Sequence, residues 1–207
     1  DEELLIEKGA VLTAARRKTA GIFAEKVCDI LKYLEMPNVV FSTNFRQGTY
    51  TANGCDEVEF YISANKGQDA GPLAKVASGG ELSRIMLAIK TVLAETDQVP
   101  TLIFDEIDTG ISGRTAQMVS EKLRILSKCR QVICITHLPQ IAAMADQHFE
   151  IRKSASDGRT ATSIRALDRE AMVDELARLL GGAEITETVR QNAEEMKKLA
   201  KKRKLEV

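Results

Sequence analysis

The sequence predicts an α/β fold, entered through one long helix and containing a parallel pair of buried strands. Three observations carry this. Leu12, Ala15, Ile22, Phe23, Val27, Ile30 and Leu34 recur near helical spacing through an unbroken charged segment. Two short apolar runs, Thr101 to Phe104 and Val132 to Ile135, flank an amphipathic stretch from Arg114 to Leu126. A strand, a helix and a second strand in that rhythm imply parallel pairing through a right-handed crossover.

The chain has 207 residues, of which 44% are hydrophobic and 29% charged, enough apolar material for a core and enough charge to argue against disorder. Aromatic residues are few and Trp is absent, so the core must be aliphatic. A formal charge of −1 provides no chain-wide basic field for nucleic acid. Cys28, Cys55, Cys129 and Cys134 form no C-x-x-C pair and have no His at zinc-like spacing, which predicts reduced, mostly buried thiols in a cytoplasmic protein. There is neither a secretory leader pattern nor an apolar run of membrane-spanning length.

The first helix is expected from Asp1 to Glu35, stopped by Met36-Pro37-Asn38. It opens without Met inside a helical pattern, which reads as a cut through a longer protein or as a frayed terminal helix. Val39 to Arg46 and Glu57 to Ser63 are expected strands, with Asn53-Gly54 in the turn region between them. A Gly-containing loop, Lys66 to Pro72, leads to "ASGGELSR". There Leu82, Ile85, Met86, Ile89 and Leu93 mark an amphipathic helix, and Ser78 with Glu81 fits a capping box. Gly79 and Gly80 fit a helix start poorly, since a helical Gly costs about 1 kcal/mol relative to Ala. Beyond the parallel pair come a short helix from Leu138 to Met144 and weaker strands at His148 to Arg152 and Thr160 to Ala166. An amphipathic helix from Glu170 to Leu180 ends at Gly181-Gly182, and a basic helix runs from Glu184 to Lys204. The basic run Lys197, Lys198, Lys201, Lys202, Arg203 and Lys204 reads first as a solvated face that complements the helix dipole, and second as a phosphate-backbone contact.

Asp105 and Glu106 directly follow one buried strand, and His137 follows the other. If the strands are parallel neighbours, all three leave the carboxyl edge of one sheet, where open α/β sheets bind ligands. An adjacent carboxylate pair there suits metal-assisted phosphate chemistry, one acid near Mg²⁺ and the next orienting an attacking water. Taken singly, two acids after a strand are more often a loop or a cap, and a lone His more often structural. Their order along the chain weighs the other way.

That order resembles the second lobe of ABC-type ATPase heads. "ASGGE" resembles the signature, "TLIFDE" the Walker B strand, "DTGISG" occupies the D-loop place and "THLPQ" the switch-histidine place. Together, "ASGGELSRIMLAIK", "LIFDEIDTGISGRTA" and "ITHLPQIAAMAD" resemble the RecN family of SMC-like bacterial DNA-repair ATPases, over about Val76 to Arg152. The resemblance implies the C-terminal lobe of an ABC/SMC-type P-loop ATPase head with a mostly parallel sheet, preceded by a coiled-coil-derived helix. It implies ATP and Mg²⁺ as cofactors, with Asp105 positioning the metal, Glu106 polarising the hydrolytic water and His137 touching the γ-phosphate. Ser78, Gly79 and Gly80, with Glu81 beside them, would meet ATP held by a second head, and Asp108, assigned by position, would link the two sites. Ala77 stands where the signature usually has Leu, Glu81 where it has Gln, and "DTGISG" lacks the usual Ala-Leu-Asp.

No G-x-x-x-x-G-K-[ST] stretch occurs; Gly71-Pro72 with Lys75 has the wrong spacing. The resemblance therefore implies residues 1–36 as the returning arm of a coiled coil and 37–207 as half of a split head. Its partners would be an N-terminal Walker A lobe, a second head and DNA, with no membrane. Rival readings are an SMC or Rad50-type chromosome-maintenance head and a non-enzymatic dimerisation fragment.

Overall fold

The computed structural model of the chain describes residues 1–63, 67, 69–75, 79–156, 159–182 and 184–206, and divides into two units, Asp1–Val99 and Pro100–Val207. The first unit is built on helix α1 (Glu2–Tyr33), which at about 1.5 Å per residue is about 48 Å long. It ends before Pro37 through a Schellman closure: Met36 N donates to Leu31 O (2.9 Å) and Glu35 N to Lys32 O (3.1 Å). Glu35 takes the left-handed position usually given to Gly, with φ 59°.

Strands β1 (Val40–Thr51) and β2 (Gly54–Ser63) form an antiparallel hairpin longer than the apolar pattern indicates. The backbone ladder continues through the polar residues Arg46↔Glu57 and Gln47↔Asp56 to a turn closed by Gly54, at φ 91°. Strand β3 (Gly71–Pro72) pairs with β2, so part of the expected loop is a short strand. Helix α2 runs from Gly79 to Val92. The C-terminal third of α1, the root of the hairpin and α2 share one core of Val27, Leu31, Val39, Phe41, Ile62, Ile85, Ala88 and Ile89. The rings of Phe23, Phe41 and Phe60 meet there at centroid distances of 5.2–5.8 Å. Burying each large aliphatic side chain stabilises by roughly 1.5–3 kcal/mol.

The hairpin also braces α1 well above this core. Arg17 lies over the Phe45 ring, and Arg16 donates to Asp56 Oδ2 (2.8 Å) and Asn53 O (2.6 Å). Thr13 Oγ1 donates to Asp56 Oδ1 (2.7 Å). At Gly9 the Tyr50 ring comes so close that a Cβ would stand 2.8 Å from it, so a side chain there would require that ring to shift. Leu4, Leu5, Ile6 and Val11 nevertheless remain exposed.

In the second unit, β4 (Thr101–Phe104) and β5 (Gln131–Cys134) pair in parallel from Thr101↔Gln131 to Phe104↔Cys134, with α3 (Gly113–Ser127) between them in sequence. Leu102 and Phe104 are buried, whereas Ile103 and Ile133 are exposed. Helix α4 (Pro139–Ala143) follows, then the antiparallel hairpin β6 (Phe149–Ser156) and β7 (Arg159–Ala166). Helix α5 (Arg169–Gly181) is capped by Asp168, whose carboxylate accepts from Ala171 N, and ends at Gly182 with φ 70°. It packs with α4 and α6 (Glu187–Glu206) around Ala142, Ala143, Met144, Leu176, Ala177, Ala193 and Ala200. The small alanines let the three helices approach closely.

Half of the basic run on α6 is occupied by this packing. Lys197 Nζ donates to the carbonyls of Ala143 and Ala145 (3.0 Å each), at the end of α4, where a cation complements the helix dipole. Arg203 binds Glu121 (2.7 Å) and Lys204 binds Asp146 (2.5 Å). Lys201 and Lys202 are exposed. All four cysteines are free, but only Cys55 is buried; Cys28 and Cys134 are half-buried and Cys129 is exposed. Among the described residues no helix is long and apolar enough to cross a membrane.

Asp56 offers a test of the brace. The Thr13 hydrogen bond and then Arg16 hold its carboxyl below the ordinary carboxylate range. Because the folded pKa is depressed, this stabilisation is present above the unfolded value and is lost as pH falls through the folded one. Asp56→Asn should lower the urea midpoint near pH 7, and its deficit relative to the natural chain should shrink toward about pH 3. A deficit that stays constant with pH would rule the charge out as its cause.

Candidate functional site

The parallel register decides where the acids and the histidine emerge. Ile135 N donates to Phe104 O (2.9 Å), carrying the ladder one rung past the last paired residues. Asp105 and Glu106 therefore leave β4 at the same carboxyl edge at which Thr136 and His137 leave β5. Asp105 and Glu106 are both exposed, and Glu106 N donates to Asp105 Oδ1 (2.9 Å).

Glu106 sits in the left-handed region, φ 55°, one of two described non-glycine residues that do so. Such a conformation costs roughly 1–2 kcal/mol for a residue with a Cβ. It persists because the turn is pinned on both sides: Thr109 N donates to Glu106 O (3.1 Å), and Ile107 is fully buried. Backbone strain held this way concentrates at functional sites.

Asp108 turns inward and is 4% exposed. Its Oδ2 accepts from Thr136 Oγ1 (2.5 Å) and His137 N (2.8 Å), and His137 Nδ1 lies 3.1 Å away. Thr136 Oγ1 in turn accepts from Leu138 N (3.0 Å), the residue that caps α4. The imidazole side chain is 71% exposed. Burial pushes the Cys134 thiol, at the end of β5, up to about 12, with the charges of Asp108 and Asp105 adding to the effect.

Among the described residues no group of three or more His, Cys, Asp or Glu is arranged to hold a metal. The donors at this edge are two exposed carboxylates, all oxygen. That set fits Mg²⁺, which takes one or two carboxylates and fills its shell with phosphate oxygens and water.

The remaining predicted residues lie in the first unit. Gly79 opens α2 and is exposed, Gly80 is buried, and Glu81 is half-buried. Ser78, and with it the expected capping box, lies outside the described residues. Arg84 is buried in the second turn of α2, where desolvation lowers its guanidinium pKa and Glu81 opposes the shift.

Three features escaped the sequence pattern. Thr136 has no role in the sequence pattern beyond preceding His137, yet its hydroxyl ties Asp108 to the start of α4. Gln140 packs its amide against Gly113, where a Cβ would stand 3.0 Å from Nε2. The left-handed backbone at Glu106 has no residue signal, since Gly would be the expected occupant.

No family model matches the chain. It is 46% identical over 198 residues to the DNA repair protein RecN of Halalkalibacterium halodurans, covering 93% of this chain and 35% of that protein. It is 45% identical over 208 residues to the DNA repair protein RecN of Haemophilus influenzae, covering 94% and 37%. The chain thus spans little more than a third of the length of these relatives. Among solved structures it resembles the Smc head domain with a coiled coil and joint from Pyrococcus yayanosii, with a TM-score of 0.54 at 22% identity, covering 77% of this chain and 29% of that one. At that identity the likeness is one of fold.

The strain at Glu106 can be measured. Replacing it by Gly removes about 1–2 kcal/mol of left-handed cost, against roughly 0.5–1 kcal/mol of added unfolded-chain entropy. Glu106→Gly should therefore leave urea stability unchanged or raise it by up to about 1.5 kcal/mol. A clear loss would mean that the carboxylate contributes more to the fold than its backbone costs.

Proposed function

The chain belongs to the RecN family, and we propose that it is the carboxyl-terminal lobe of an ATPase head acting in DNA double-strand-break repair and recombination in the bacterial cytoplasm. One observation carries the chemistry: Asp105 and Glu106 leave β4 at the same edge at which the Asp108-bound His137 leaves β5. On this reading Asp105 would hold Mg²⁺, which would supply positive charge to offset the negative charge of the ATP phosphates. Glu106 accepts a proton from, or orients, the water that attacks the γ-phosphate, and His137 faces that phosphate. Helix α1, with exposed apolar residues along its N-terminal half, is the returning arm of a coiled coil.

The start of α2 completes a different copy of the site. A helix N-terminus has free N–H groups and a favourable dipole for an anion. Ser78, Gly79, Gly80 and Glu81 would receive the γ-phosphate of ATP bound to a second head, so that nucleotide binding pairs the heads. The phosphate-cradling Walker A segment would come from an N-terminal lobe of the same protein, and DNA would be the partner on which the cycle acts.

Two experiments test this. The chain alone should have negligible ATPase activity, and activity should appear when it is combined with its N-terminal lobe. Glu106→Gln should then reduce turnover by roughly 10²–10⁴-fold, the usual contribution of a general base. Turnover by the combined head that is indifferent to Glu106→Gln would overturn the assignment. For head pairing, the exposed Gly79 is a better position than the buried Gly80, where a charge would disturb the fold itself. In a head slowed by Glu106→Gln, Gly79→Asp should keep the thermal midpoint and abolish ATP-dependent dimers in light scattering. Dimers of undiminished stability would remove α2 from the interface.

A further inference from the structure

His137 stands immediately before Leu138, the N-cap of helix α4, and α4 is too short to hold itself. Its five residues fall well below the ~12 at which an isolated helix becomes marginal in water. The near end of the segment is fastened to the sheet edge: His137 N donates to Asp108 Oδ2 (2.8 Å) and Leu138 N to Thr136 Oγ1 (3.0 Å). Pro139 opens the helix with a fixed φ, so a shift of α4 passes through Leu138 to the His137 peptide.

The far end is fastened by α6. A helix leaves its last carbonyls without an intrahelical donor. Lys197 Nζ supplies one to Ala143 O, in the last residue of α4, and another to Ala145 O just beyond it, at 3.0 Å each. Two of the three ammonium donors are thereby spent inside the unit. Burial lowers the Lys197 pKa, Lys204 adds to the shift and Asp146 opposes it. The two carbonyls stand in for the water that the ammonium gives up.

Helix α6 takes its place with little apolar help, since its buried residues among those described are Ala193 and Ala200. Alanines permit close approach but grip no particular register. The cations supply it: a slip of one turn, about 5.4 Å, would part Lys197 from α4, Arg203 from Glu121 on α3 (2.7 Å) and Lys204 from Asp146 (2.5 Å) together. Because α3 follows the Glu106 turn and α4 follows His137, one helix steadies both segments that leave the carboxyl edge.

We propose that Lys197 is a positioning residue for His137, acting through α4, whose far end it holds. Helix α6 is thereby part of the device that keeps the histidine facing the γ-phosphate. The inference rests on the ATPase reading for its purpose, and on the α4–α6 contact alone for its geometry. It gives the basic run a role other than a solvated face or a phosphate contact.

Amide exchange tests the contact. In the natural chain the amides of Ala142, Met144 and Ala145 should exchange at least ~10-fold more slowly than in an unfolded chain, which a free five-residue helix would not achieve. Unfolded-chain rates there overturn the holding of α4 without recourse to any variant. Lys197→Met keeps the stem and removes the donors, and should speed exchange at Met144 and Ala145 at least ~10-fold. Unchanged exchange overturns the proposal. In the head combined with its N-terminal lobe, Lys197→Met should lower kcat at least ~10-fold with KM for ATP within about twofold, as misplacement of a reacting group does. Lys197→Arg, which keeps donors near the carbonyls, should recover most of the lost kcat. Lys201→Met, at an exposed position of the same helix, should leave kcat unchanged. Natural turnover by Lys197→Met, or an equal loss in Lys201→Met, overturns the positioning role while the ATPase reading stands. No turnover by the natural head overturns the ATPase reading, and the exchange rates then decide the contact.

Discussion

Four parallel rungs between β4 and β5 set the position of Asp105, Glu106 and His137 in the second unit. The pairing from Thr101↔Gln131 to Phe104↔Cys134 brings two strand ends, thirty residues apart in the chain, to one edge. A slip of one residue would turn Leu102 and Phe104 out of the core and would carry Asp105 and Glu106 away from His137. The burial of Leu102, Phe104 and Ile107 makes such a slip costly. Register, and through it the site, is thus held by apolar packing rather than by the polar residues themselves.

Upon that frame the polar residues add direction. Asp108 faces inward because its lone pairs find the hydroxyl and amide donors of the β5–α4 segment, which offset its desolvation. Its neighbour Glu106 faces outward on a backbone conformation that its own side chain disfavours. The two acids of the same turn thereby divide into one that organises the edge and one that is free to meet solvent. Gly79, Gly80 and Glu81, from the other half of the predicted set, start α2 in the first unit, whose core joins that helix to the foot of α1.

Charge was the least legible property of the sequence. A run of six cations near the C-terminus invites a nucleic-acid reading, but Lys197, Arg203 and Lys204 are engaged by carbonyls and acids of α3, α4 and the segment after α4. Helical spacing alone does not say which cations meet acids far away in sequence. The same applies to Arg16, whose partners are Asn53 in the hairpin turn and Asp56 on β2. Elements with strong apolar periodicity, such as α3 and α5, were legible because their burial is written into the spacing of Leu, Ile and Val. The polar half of the β1–β2 hairpin was not, since its pairing depends on backbone bonds and on the brace against α1.

The sequence by itself determined the α/β class, the order of the strands and helices, the family and the residues with reactive side chains. Those follow from local spacing and from motif wording, which need no knowledge of what packs where. Only the tertiary structure decided that Asp108 is a buried acceptor for His137, that Glu106 occupies a left-handed turn and that half the basic run is spent on packing. Each of these depends on which groups lose water together, and desolvation is set by neighbours that the chain brings close only when it folds.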